Sequence, residues 1–167
     1  MKNLPPSLRR HFSRLAGKEK WPFLWRTWLE AVILAFLVGY IVQYLFPAGP
    51  RSDLAKMTPY ALLGTVLLVG PLYETLAFQC LSWELTSTLR VRRSLRFLFS
   101  VVPFALAHYF AGMPTVLAAG IVGGFYFAFT YERWRKESVI VAVAMTFLLH
   151  SSFNLVGALG MLLFPIR

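Results

Sequence analysis

One carboxylate, Glu74, two imidazoles, His108 and His150, and one side-chain amide, Asn154, interrupt the most apolar stretches of this 167-residue chain. These groups can move protons and hold a developing negative charge: a carboxylate or neutral imidazole accepts a proton from water, and imidazole and amide N–H groups donate to an oxyanion. His150 and Asn154 stand four residues apart and project from one face of a helix. Phe104 and His108 share that spacing, which sets an aromatic ring beside an imidazole. Each residue also has a structural reading when taken singly: a buried imidazole satisfies a backbone carbonyl, an amide joins two helices, and Phe104 packs. Ionisable groups deep in apolar segments are costly, face a bundle interior and mark function by default. Their joint occurrence on three apolar segments is what points to a site.

The elements that must carry these residues are membrane helices. With 57% hydrophobic and 14% charged residues, the chain departs from the soluble balance of roughly half apolar and a quarter charged. Five stretches, 29–46, 59–86, 95–111, 114–131 and 138–164, are long enough for a hydrocarbon core of about 30 Å, and charge, Pro or Gly bounds each. The expected fold is an all-α polytopic bundle of about five transmembrane helices. Lys and Arg number 7, 2, 4, 0, 3 and 1 before, between and after the stretches, with Arg96 at the start of the third stretch counted in the segment ahead of it, so alternate segments hold 14 against 3. Excess Lys and Arg mark cytoplasmic segments, which places the N-terminus inside and the C-terminus outside. The net charge of +10 is spread between apolar stretches rather than gathered into a solvated patch, so the expected partner is the bilayer and not nucleic acid. A lone Cys80 excludes an intramolecular disulfide.

Residues 1–28 read as a basic N-terminal segment, interfacial or solvated, in which Trp21, Trp25 and Trp28 accompany Arg10, Arg14, Lys18 and Lys20. Residues 29–167 form the transmembrane domain. His11 and six carboxylates, Glu19, Glu30, Asp53, Glu84, Glu132 and Glu137, fall in tails, loops or helix ends that water reaches. Counted from Arg90, Arg96 and Lys136, the positions of Glu74, His108 and His150 correspond to depths of about 18 to 24 Å, so three helices can bring them to one layer. His108 lies only four residues before Gly112, which puts the site near the outer face unless that turn is itself submerged. Pro71 and Pro103 predict kinks shortly before the polar residues, and Gly120, Gly123 and Gly124 predict close helix packing.

Three motifs occur in order: Pro71-Leu-Tyr-Glu-Thr-Leu-Ala-Phe-Gln79, Phe104-Ala-Leu-Ala-His108 and His150-Ser-Ser-Phe-Asn154. Together they resemble the CPBP family of intramembrane proteases, which includes the type II CAAX prenyl endopeptidases and bacteriocin-processing relatives. The likeness covers residues 58–160. It implies that Glu74 and His108 activate a water for attack on a peptide carbonyl while His150 and Asn154 stabilise the oxyanion. It further implies a membrane-associated peptide or protein substrate and a bacterial inner-membrane location. The family's first motif reads Glu-Glu-x-x-x-Arg, whereas here Thr75 and Gln79 stand for the second acid and the Arg. Losing both charges together keeps the site neutral, and the four-residue spacing allows a hydrogen bond between helix turns.

Ser151, Ser152 and Cys80 lack an identifiable base and are weaker nucleophile candidates. A metal-free mechanism without cofactor is the expectation. The alternative is zinc held by Glu74, His108 and His150 with an open position for water, although no His-Glu-x-x-His pair is present. A non-catalytic scaffold or immunity-type protein of the same fold is the competing function, favoured by the altered first motif. An ion or proton carrier is the third reading, weakened by the single deep carboxylate and the lack of an internal repeat.

Overall fold

The computed structural model describes residues 6–15, 17, 19–47 and 56–163, and among them every regular element is a helix. Lys18 and Asp53 lie outside the described residues. The helices are α1 (Pro6–Leu15), α2 (Lys20–Leu45), α3 (Pro59–Thr88), α4 (Arg93–Ala107), α5 (Met113–Arg135) and α6 (Val139–Leu163). Four of them, α2, α3, α5 and α6, are long and apolar enough to cross a membrane. The chain is therefore a multi-pass helical membrane protein. The third expected stretch is α4, whose 15 residues rise about 22 Å and fall short of a full crossing. It stops at Ala107 rather than 111 because Gly112, at φ 88°, reverses the chain after a short 3-10 turn, Tyr109–Ala111. Phe110 in that turn is 97% exposed and Tyr109 62%, an aromatic pair suited to an interfacial or submerged position.

The first crossing helix begins at Lys20, not at 29. Nothing in 20–28 breaks it, since Pro22 falls in the first turn, where a missing N–H costs no helical bond. Trp25 and Trp28 stack on this helix at 5.0 Å. Ahead of it, α1 docks on the bundle through Phe12, which packs against Phe125 and Phe129. At the start of α3, the Thr58 hydroxyl accepts from the Ala61 N–H at 3.3 Å and Pro59 occupies the first helical position.

Large apolar side chains such as Phe36, Leu37, Leu68, Leu106 and Ile140 face outward, as acyl-chain solvent allows. Inside are two aromatic groups. One gathers Phe23, Trp83, Phe129, Tyr131, Trp134 and Met145 near the charged loops, and the other gathers Ala31, Phe104, Tyr126, Phe127 and Leu149 at mid-bundle. The glycines of α5 set the spacing to α4: a Cβ at Gly120 would lie 2.6 Å from the Ala105 Cα, and one at Gly124 would lie 2.8 Å from the Phe104 ring. Close packing, expected from the small residues, is what they provide.

Three carboxylates expected to face water are partnered between helices instead. Glu84 accepts from Arg135 Nε at 2.5 Å and from the Tyr131 hydroxyl at 2.9 Å. Glu132 is bound by Arg93 through two guanidinium nitrogens. Glu30 accepts from the Tyr126 hydroxyl and pairs with His11 at 2.8 Å. Each lies beyond one helix's reach in sequence, so only the packed bundle brings the partners together.

Candidate active site

Pro71 shapes the local backbone of α3. It lacks an N–H and crowds the carbonyl of Leu67, so the helix winds as a wider π-helix over Thr65–Val69, returns to α-helix over Gly70–Glu74 and widens again over Thr75–Leu81. Two carbonyls lose their natural partners across this break: Leu67 in a four-residue pattern and Val66 in a five-residue one. Helix α6 supplies replacements. Ser151 Oγ donates to the Leu67 carbonyl at 2.7 Å, and Asn154 Nδ2 donates to the Val66 carbonyl at 3.0 Å.

This docking brings α6 to Glu74. His150 Nε2 lies 3.4 Å from Glu74 Oε2, with the imidazole only 2% exposed and the carboxylate 29%. Phe127 stacks on the His150 ring at 4.1 Å and 25°, and Phe104 meets it edge-on at 5.6 Å. Phe104 also touches His108, with ring centroids 4.7 Å apart, so one buried phenyl ring contacts both imidazoles. Packing and shielding are thus one role for Phe104.

His108 sits at the end of α4, where helix carbonyls lack partners. Its Nδ1–H donates to the Phe104 carbonyl at 2.9 Å. A carbonyl only accepts, so Nδ1 carries the hydrogen and, in the neutral ring, Nε2 keeps the lone pair of a base. The side-chain amide of Asn154 has two hydrogens, of which the Val66 carbonyl takes one. The other is held in a fixed plane.

The structure therefore brings Glu74, His150 and Phe104 together, with His108 in contact with the Phe104 ring and Asn154 anchored one turn along α6. Glu74, His108 and His150 do not form a three-donor group for a metal ion among the described residues. Thr75 and Gln79 do not make the expected hydrogen bond. Both are fully buried, and Thr75 Oγ1, Gln79 Oε1 and Gln79 Nε2 find no partner within the protein.

Two residues escaped the sequence reading. Phe127 is the platform for His150, and the signal for it was Gly123-Gly124 one turn earlier, which makes room for rings. Ser151 is a docking donor, signalled by its three-residue spacing to Asn154 and by Pro71 across the bundle. Cys80 Sγ lies 3.3 Å from the Tyr131 hydroxyl oxygen, whose hydrogen goes to Glu84, so the thiol is the donor in this contact. Among known proteins, the family model described as type II CAAX prenyl endopeptidase Rce1-like matches residues 56–156, a range that holds Glu74, His108, His150 and Asn154. No curated protein and no solved structure gives a significant match.

Proposed function

Because the chain belongs to the type II CAAX prenyl endopeptidase Rce1-like family, we propose that it is a metal-free intramembrane endopeptidase that cleaves a membrane-associated peptide or protein. The observation that carries this reading is the approach of Glu74 to His150 at 3.4 Å inside the bundle. The partner of the Glu74 carboxyl group is an imidazole, which can donate or accept a proton, rather than an arginine, which only donates.

Glu74, assisted by His108 Nε2, takes a proton from water as the water oxygen bonds to the scissile carbonyl carbon. The carbonyl oxygen becomes an oxyanion, which accepts hydrogen bonds from His150 Nε2–H and from the second Asn154 amide hydrogen. Each such donor contributes on the order of 3 kcal/mol to the transition state. The C–N bond then breaks, the proton passes from the Glu74 side to the leaving amine, and the new carboxyl terminus departs. Phe104 and Phe127 hold the rings and exclude lipid. The bacterial inner membrane remains the proposed location.

Cleavage of a membrane-peptide library in proteoliposomes tests the proposal, using wild type, Glu74→Gln and His108→Ala, each with and without a chelator. Loss of cleavage in both variants with no effect of chelator is the expected result. Chelator sensitivity would replace the metal-free mechanism. A folded wild type that cleaves no peptide would favour the scaffold, a reading the neutral Thr75 and Gln79 support.

A further inference from the structure

One turn from the Glu74 layer, toward the charged loops, four helices each bury one neutral polar side chain: Gln79 of α3, Ser100 of α4, Thr130 of α5 and Thr146 of α6. All four are 0% exposed. The level is fixed by aromatic neighbours on either side. Ser100 lies between Phe97, which packs on Trp83 at 5.3 Å, and Phe104. Thr130 lies between Phe127 and Tyr131, the latter facing Trp83 at 6.4 Å. Thr146 follows Met145 of the Trp134 group and precedes His150 by one turn. Gln79 lies one turn before Trp83. An aromatic group therefore closes the layer on each side.

Hydroxyls on membrane helices ordinarily bond the carbonyl one turn back, and Thr86, Thr88, Thr115 and Ser152 do so here, at 2.6–3.1 Å. Ser100 Oγ, Thr130 Oγ1 and Thr146 Oγ1 do not, and neither they nor the Gln79 amide atoms find any partner in the protein. Buried polar atoms left unpaired cost about 1–3 kcal/mol each. Such groups are satisfied by internal water when a pocket offers each molecule two to four partners. The chemistry selects water: every member is neutral, each hydroxyl both donates and accepts, and no carboxylate belongs to the layer to balance a cation. Thr75, also 0% exposed with an unpaired hydroxyl, continues the polar line from Gln79 to Glu74.

We propose that Gln79, Ser100, Thr130 and Thr146 form an internal water site, the store from which Glu74 draws the nucleophile for hydrolysis. The supply role rests on the peptidase reading; the water site does not. Water-edited solid-state NMR of the wild-type protein in lipid bilayers reads the site directly. Magnetisation should pass from water to the Thr130 and Thr146 side chains as fast as to the more exposed Thr88. Transfer no faster than to Ala128 and Leu149, apolar neighbours that are equally buried, would overturn the site. Cleavage by Thr130→Val combined with Thr146→Val then reads the supply. The expected result is a kcat lower by about tenfold, the worth of roughly one lost hydrogen bond, with KM unchanged and activity restored by Thr→Ser at both positions. An unchanged kcat would overturn the supply role. A wild type that cleaves nothing yet shows fast transfer would overturn the peptidase reading and the supply role together, while leaving the water site standing.

Discussion

At the charged end of the bundle, Glu84 and Glu132 each meet an arginine, with Arg135 and Arg93 reaching across from neighbouring helices. At mid-bundle, Glu74 meets an imidazole at 3.4 Å. The contrast separates two uses of a carboxylate in one membrane protein. A guanidinium holds its charge at all accessible pH and forms a fork of hydrogen bonds, so the acid it binds is a permanent clamp. An imidazole carries one N–H and one lone pair, so the acid beside it has a partner that can donate or accept a proton. The two carboxylates differ in partner and in depth: Glu84 lies near the charged loops, and Glu74 lies deeper among the helices.

Substitutions sharpen or break this comparison. Glu74→Gln should lower cleavage by about 10³-fold, a typical general-base loss, without lowering the unfolding midpoint in detergent; a loss under tenfold would move the chemistry elsewhere. Gly124→Ala drives a methyl into the Phe104 ring. It should cost about 1–3 kcal/mol as overpacking and misplace both imidazoles, so denaturation and cleavage should fall together. Glu84→Gln should behave in the opposite sense to Glu74→Gln. It should cost about 1 kcal/mol, a low figure because the pair is about one-third exposed, with cleavage within about twofold of wild type. If Glu84→Gln instead abolished cleavage at full stability, the clamp reading would fall. Ser151→Ala is the smallest change, about 0.6 kcal/mol for one interhelical hydrogen bond, measurable by a double-mutant cycle with Asn154→Leu.

The fold was legible because its signal is long: apolar stretches bounded by charge admit few structures other than membrane helices. The chemistry-bearing residues were legible because each stands out against apolar neighbours. Boundaries were less so. The helix that ends at Ala107 continues in sequence through apolar Tyr109 and Phe110, and only the positive φ of Gly112 turns it. The partners of Glu30, Glu84 and Glu132 were not legible, since each comes from a helix far away in sequence. The contact between Thr75 and Gln79 that their spacing allows is not made, although both side chains are fully buried.

The junction between α3 and α6 is written in main-chain atoms on one side: Ser151 and Asn154 grip the carbonyls of Leu67 and Val66, not their side chains. Such a grip is blind to what residues 66 and 67 are, so these positions are free to drift among apolar types and adapt to lipids of different thickness. The constraint falls on Pro71 instead. Restoring an N–H there would let the helix reclaim its own carbonyls and evict the hand that steadies His150.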